Sequence, residues 1–134
     1  MVCIYCKGKT EIVNSRHLNR SNGTWRRRHC IECNAIVTTV EETDYSKHWV
    51  IQDKNNRYKP FLRDKLYVSV YNSLGHRKSP ENDATAITTT VLSRLGKSSK
   101  DGRIFREDII RTTTSCLSRF DKAASVQYRA YHKR

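Results

Sequence analysis

The chain has 134 residues, 37% of them hydrophobic, which bounds it to one ordinary domain or two small ones without a large core. Lysine and arginine number 26 against 13 aspartate and glutamate, a formal charge of +13, and such an excess points to an anionic partner, nucleic acid first. No apolar run reaches the roughly 18 residues of a membrane helix, and the opening MVCIYCKGK lacks the charged-then-apolar layout of a secretion signal, so the expected setting is the cytoplasm with no membrane partner.

In chain order the first feature is a pair of cysteine knuckles. Cys3-x-x-Cys6 and Cys30-x-x-Cys33 use four of the five cysteines and enclose 23 residues, Lys7 to His29. In a reducing compartment such pairs favour a metal over a disulfide. Each knuckle points two sulfurs at one place, and two of them close a tetrahedron around Zn²⁺. A four-thiolate site has no open position, so the zinc is expected to be structural. It would also supply folding energy to a segment of about 45 residues with little core. His17 and His29 are spare ligand types that four cysteines leave for surface or contact roles.

The second knuckle is entered by Arg26, Arg27 and Arg28, in RRRHCIEC (26–33). Zinc would hold that strand rigid and make the arginines a fixed platform. Their planar forks suit phosphate oxygens and guanine edges. Trp25 is placed to stack or to pack on the ribbon, and Arg16 and Arg20 extend the same surface. Thr38 and Thr39 would add hydroxyl contacts, although β-propensity alone also accounts for them.

The texture changes near residue 45, across EETDYSKHW (41–49). Residues 1–49 hold eight lysines and arginines against five acids, net +3; residues 50–134 hold 18 against eight, net +10. The second part therefore needs an anionic ligand of its own or a share of the same one. Val50-Ile51 and Arg57-Tyr58 flank the turn-rich DKNN (53–56), which predicts a short hairpin. Leu62, Leu66, Val70 and Leu74 recur every four residues and predict a helix with Asp64 near its start. Ala84, Ile87, Val91 and Leu95 make a second stripe, with Gly96 as its stop. Gly102-Arg103-Ile104 reads as a brief extended stretch. Ile109, Ile110, Thr113, Leu117 and Phe120 make a third stripe carrying Cys116, a small buried hydrophobe, and Ala124, Tyr128 and Tyr131 a short last helix.

These motifs in this order resemble a known family. Cys-x-x-Cys, NSR (14–16), RRRHCIEC and VTTVE (37–41) are similar to the zinc ribbon of NrdR, the bacterial repressor of ribonucleotide reductase genes. VIQDKNNRYKPFLRDKLYVSVYNSL (50–74) resembles the opening of an ATP-cone, HRKSP (76–80) the basic step after its first helix, and RFDKAASVQYRAY (119–131) its closing helix. The expected fold is α+β: a small β zinc ribbon over residues 1–45, then a mainly helical ATP-cone with a short β-hairpin over residues 46–134.

The resemblance implies a repressor that binds double-stranded DNA boxes upstream of reductase genes. ATP or dATP in the cone would set the homo-oligomeric state. Carried over by position, the zinc ligands are Cys3, Cys6, Cys30 and Cys33, and the DNA contacts are Arg16, Arg26, Arg27 and Arg28. The nucleotide residues map to Val50 and its neighbour Gln52, to Lys65 and to His76-Arg77. The residues themselves add Lys54, Arg57, Lys65 and Arg77 as cations for a triphosphate near a hairpin and a helix start. Phe61 or Tyr58 would line an adenine pocket, with plain core as the other role for Phe61. Gln52 stands where the family usually has a lysine, Asn14 where aspartate is common, Trp25 where a fourth arginine is common, and Ile36 where a basic residue is common. The hairpin is one residue longer than usual. Gln52 motivates an alternative function, a zinc-ribbon nucleic-acid binder whose cone has lost nucleotide and only oligomerises. With no paired carboxylates, no Ser/His/Asp set, no open metal site and no Gly-rich phosphate loop, no enzyme is expected.

Overall fold

The computed structural model describes residues 1–99 and 101–132. The fold is α+β in two compact units, Met1–Thr43 and a second from Asp44 onward.

The first unit is an antiparallel sheet of three strands in the order β1-β2-β3: β1 Thr10–Leu18, β2 Gly23–Cys30 and β3 Ile36–Glu41. The centre strand, GTWRRRHC, is the one that runs into the second cysteine knuckle. A bulge between Ile12 and Asn14 shifts the β1–β2 register by one residue. Among the described residues this unit buries little beyond Cys3, Cys30 and Val37. A sheet with so small an apolar interior does not repay its own chain entropy by burial alone.

The second unit builds a conventional core. Strands β4 Val50–Gln52 and β5 Tyr58–Pro60 form the hairpin around the turn at 53–56. A third strand, β6 Arg103–Phe105, joins β4 in parallel, giving the order β5-β4-β6. The extended reading at 102–104 was local; its pairing to a strand some 50 residues earlier is a tertiary fact. Four helices follow the periodicities: α1 Arg63–Ser73, α2 Pro80–Ser98, α3 Arg106–Phe120 and α4 Lys122–Tyr131. Pro80 opens α2, with Glu81 and Asp83 in its first turn, as the helix N-terminus favours. Val70, Leu74, Val91, Leu95, Leu117 and Tyr128 are fully buried at the centre, and Cys116 is buried among them.

Three stripe residues and one stop signal differ from expectation. Leu62 is the residue before α1 rather than part of it, and is 48% exposed. Gly96 does not stop α2, which runs two residues further; its bare Cα faces the Trp49 ring, 3.6 Å from where a Cβ would sit. Phe120 is 42% exposed, its ring covered by the Arg77 guanidinium at 4.3 Å instead of by the core. Tyr131 is 83% exposed at the end of α4. Leu62, Phe120 and Tyr131 each lie at an element end, where the opposing core surface has run out.

One glycine is required by its surroundings. Gly102 has φ +77°, and a Cβ there would lie 2.5 Å from the His48 carbonyl oxygen. Its own carbonyl accepts the Val50 N–H at 2.8 Å, at the mouth of the parallel pairing. Gly102→Ala is expected to cost about 1–3 kcal/mol. The check is a urea titration with a lowered midpoint and an unchanged slope.

Candidate functional site

The knuckles set the metal centre. Lys7 N–H donates to the Cys3 carbonyl at 3.1 Å and Asn34 N–H to the Cys30 carbonyl at 3.0 Å. Both turns then leave through a left-handed residue, Lys7 at φ 64° and Asn34 at φ 63°, so the two knuckles share one backbone path. Backbone N–H groups point at the sulfurs: Tyr5 to Cys3 Sγ at 3.4 Å, Gly8 to Cys6 Sγ at 3.4 Å and Cys33 to Cys30 Sγ at 3.5 Å. The four Sγ atoms all lie within 4.8 Å of one another, with Cys3–Cys33 at 3.7 Å and Cys6–Cys30 at 3.4 Å. Tetrahedral zinc with Zn–S of about 2.3 Å sets sulfurs about 3.8 Å apart, so the cluster fits it.

The charges argue the same way. The Cys33 N–H holds the Cys30 thiol down to about 6. Cys6 receives an N–H from Gly8, yet its sulfur sits against that of Cys30, and its thiol is pushed up to about 12. Four thiolates this close are not all ionised without a cation between them. The four cysteines hold one structural zinc. Neither His17 nor His29 belongs to the cluster; His29 Nε2 pairs with Asn34 Oδ1 at 3.2 Å.

The arginines leave the sheet on two sides. Successive residues of a strand alternate faces, and residues opposite each other across a pair share one. Arg27 is opposite Asn14 and Thr38, and Arg16 is opposite Trp25, so Arg16, Trp25 and Arg27 share one face. The Arg16 guanidinium lies 5.2 Å over the Trp25 ring, and Arg27 is exposed. Arg26 and Arg28 lie on the other face. Arg26 is held by Glu41 at 2.9 Å and Arg28 by the Thr39 hydroxyl at 3.3 Å. The single platform expected from RRR is therefore divided by the two-residue period of the strand.

In the second unit a cavity of about 550 Å³ opens between the hairpin, α1 and the start of α3. Arg57, Lys59, Lys65 and Arg106 line it, with Asp53 as the acid among them and Phe61 in its wall. Phe61 is 1% exposed and packs edge-on to Trp49 at 5.3 Å, so it is at once core and lining. The Arg57 N–H bonds Asp53 Oδ1 at 3.0 Å and holds that carboxyl below its usual range, so Asp53 is ionised. The net charge of the lining stays positive.

Residues 1–41 match the family model for the N-terminal domain of NrdR-like transcriptional repressors. A protein of Pelagibacter ubique named transcriptional repressor NrdR is 38% identical over 104 residues, 73% of this chain. The chain spans 66% of that relative's length. Proteins of the same name from Chlamydia pneumoniae and Chlamydia felis are 25% identical over the whole chain, which covers 87% of each.

The chain belongs to the NrdR family.

Within this NrdR frame the expected nucleotide residues fall into two sets. Arg57, Phe61 and Lys65 meet in the cavity. Val50, Gln52, Lys54, His76 and Arg77 do not line it. Gln52 Nε2 bonds Asn56 Oδ1 at 2.9 Å, across the hairpin turn. Lys54 sits exposed at the tip of that turn. Arg77 bridges Asp83 at 2.7 Å and Asp121 at 3.0 Å, and His76 reaches Asp121 at 2.8 Å. Both are tied into the join between helices.

Lys59, Arg106 and His132 line the cavity unforeseen. Two of them carried a signal. Lys59 follows Arg57 by two residues, and a strand places such a pair on one face. Arg106 opens α3, where the helix dipole prefers acids, and a cation in that place suggests a ligand. His132 carried none: it reaches the cavity only because it ends α4, stacked on Tyr128 at 4.2 Å.

Proposed function

We propose that this chain is a transcriptional repressor that grips double-stranded DNA boxes upstream of ribonucleotide reductase genes. The zinc ribbon is the DNA-binding domain. The cone domain takes ATP or dATP, and the nucleotide sets the homo-oligomeric state that binds DNA. The observation that carries the reading is the Arg16–Trp25–Arg27 face on a sheet clamped by zinc, in a chain of +13. A flat, rigid, basic surface with unpaired guanidinium donors is what phosphate and base-edge recognition needs. A four-thiolate zinc has no open position, so the metal positions and does not catalyse. The cone cavity supports the regulatory half. Four cations within about 550 Å³ suit a polyphosphate, and the apolar wall at Phe61 suits a base. Gln52 does not weaken this reading, because its side chain is used within the hairpin and not in the cavity.

The test is duplex binding followed by fluorescence anisotropy, with and without dATP and ATP, alongside size-exclusion chromatography. Nucleotide-dependent affinity together with a change in assembly is the expected result. DNA binding that ignores both nucleotides would sink the regulatory half and select the alternative, a ribbon whose cone only oligomerises.

Two substitutions sharpen it. Arg27→Ala is expected to weaken duplex binding about tenfold and to lower the slope of log K against log salt by about one. Arg26→Ala should do less to binding, since Glu41 already holds that guanidinium.

A further inference from the structure

A second basic cavity lies elsewhere in the helical unit, among the end of α2, β6 and α3, with a volume of about 430 Å³. It shares no lining residue with the Lys65 cavity. Arg94, Arg103 and Arg111 converge on it from three elements, with Asp108 as the acid in the lining. Arg111 is paired with Asp108, whereas Arg94 and Arg103 have no acidic partner among the described residues. Ser98, Ser99, Thr112 and Ser115 add hydroxyls to the lining, and Leu95 and Ile104 are its apolar part. Ser99 Oγ is buried and makes no hydrogen bond.

Arg94 is half-buried and Arg103 exposed, so both guanidinium groups are open to a ligand from solution. Two guanidinium groups lining one concavity repel each other, and a hydroxyl buried without a hydrogen bond is costly. An anion between them relieves both at once. Planar donors and hydroxyls together match the oxygens of a phosphate better than those of a single carboxylate.

We propose that the α2–β6–α3 cavity is a second phosphate-binding site, separate from the Lys65 cavity. Its ligand is a phosphate group, from a free polyphosphate or from the backbone of bound DNA. The proposal stands without the adenine-nucleotide reading, because none of its residues takes part in it.

The experiment uses the full zinc-loaded chain and inorganic tripolyphosphate, followed by calorimetry. Two binding events are expected. R94Q/R103Q should weaken one at least tenfold, and K65Q/R106Q should weaken the other. S115E, which places a carboxylate in the cavity and keeps both arginines, should mimic R94Q/R103Q and decides the matter if the double variant folds poorly. The duplex arm separates the sources. Loss of about two from the salt slope in R94Q/R103Q assigns the site to DNA backbone, and an unchanged slope with the tripolyphosphate event lost assigns it to a free phosphate ligand. Tripolyphosphate binding and duplex slope both unchanged in S115E and R94Q/R103Q would overturn the proposal. A single binding event, lost in K65Q/R106Q and untouched in R94Q/R103Q, would do the same. Failure of the K65Q/R106Q arm alone counts against the cone-cavity reading and leaves this one intact.

Discussion

Chelating the zinc is expected to unfold residues 1–43 while the helical unit stays folded. The first unit has one buried aliphatic side chain, Val37, beside the cysteines. Zinc bound by thiolates supplies on the order of 10 kcal/mol in small modules of this type, far more than burying one valine. Without the ion the cluster is worse than neutral, because Cys6 and Cys30 sulfurs at 3.4 Å compete for the same proton. All four helices belong to the second unit, whose core runs through Val70, Val91, Leu117 and Tyr128. Far-ultraviolet circular dichroism at the helical minimum should therefore change little on chelation. Amide cross-peaks of residues 10–41 should collapse to the unfolded range, and duplex binding should fall at least a hundredfold. Cys30→Ser should reproduce this in the presence of zinc, since a buried hydroxyl replaces a thiolate ligand. Retained ribbon dispersion in the apo protein would refute the argument.

Asp121→Ala is expected to lower the melting temperature of the helical unit by about 10 °C, with the ribbon untouched. Asp121 stands between α3 and α4 and serves both. Its N–H closes α3 on the Leu117 carbonyl at 2.7 Å, and its Oδ1 caps α4 by accepting the Ala124 N–H at 3.1 Å. Its Oδ2 receives His76 at 2.8 Å and Arg77 at 3.0 Å, which fastens the α1–α2 connection to the same point. Removing the carboxylate leaves Arg77 with Asp83 alone and α4 without its cap. Hydrogen bonds from His76, Ala124 and Arg77 hold the Asp121 carboxyl well below the usual carboxylate range. A depressed folded-state value means stability that is full above the unfolded-state value near 4 and is lost as the pH falls below it. The wild type should thus lose stability steeply between about pH 4 and pH 2, and the variant should lose less over that window. Equal acid sensitivity in both would show that the network contributes nothing. Asp121→Asn separates charge from shape, since it keeps an N-cap acceptor while giving up the ionic pairs.

The zinc centre was legible because its chemistry is local. A Cys-x-x-Cys turn carries its own geometry, and the pairing of two such turns needs only that the chain between them fold back on itself. The helical stripes were legible for the same reason: Leu66, Val70, Ala84, Val91 and Leu117 lie where a period of 3.6 puts them, and all are buried. The stripe ends were not, because periodicity says which face turns inward and not how far the opposing surface extends. Leu62, Phe120 and Tyr131 keep the period and lack the partner.

The sequence by itself determined the α+β class, the four zinc ligands, the hairpin and the helix faces, since each depends on neighbours within about one turn or one knuckle. Tertiary structure decided three things. It set Arg16, Trp25 and Arg27 on one face and Arg26 and Arg28 on the other, by the register of three strands. It drew His76 and Arg77 to Asp121, 44 or more residues away, and brought Arg57, Lys65 and Arg106 together from a hairpin and two helices. It paired β6 with β4 and so opened the cavity beside Arg94 and Arg103. Charges have no period, and where a long flexible cation ends depends on which distant carboxylate or cavity the packing of the core brings within its reach.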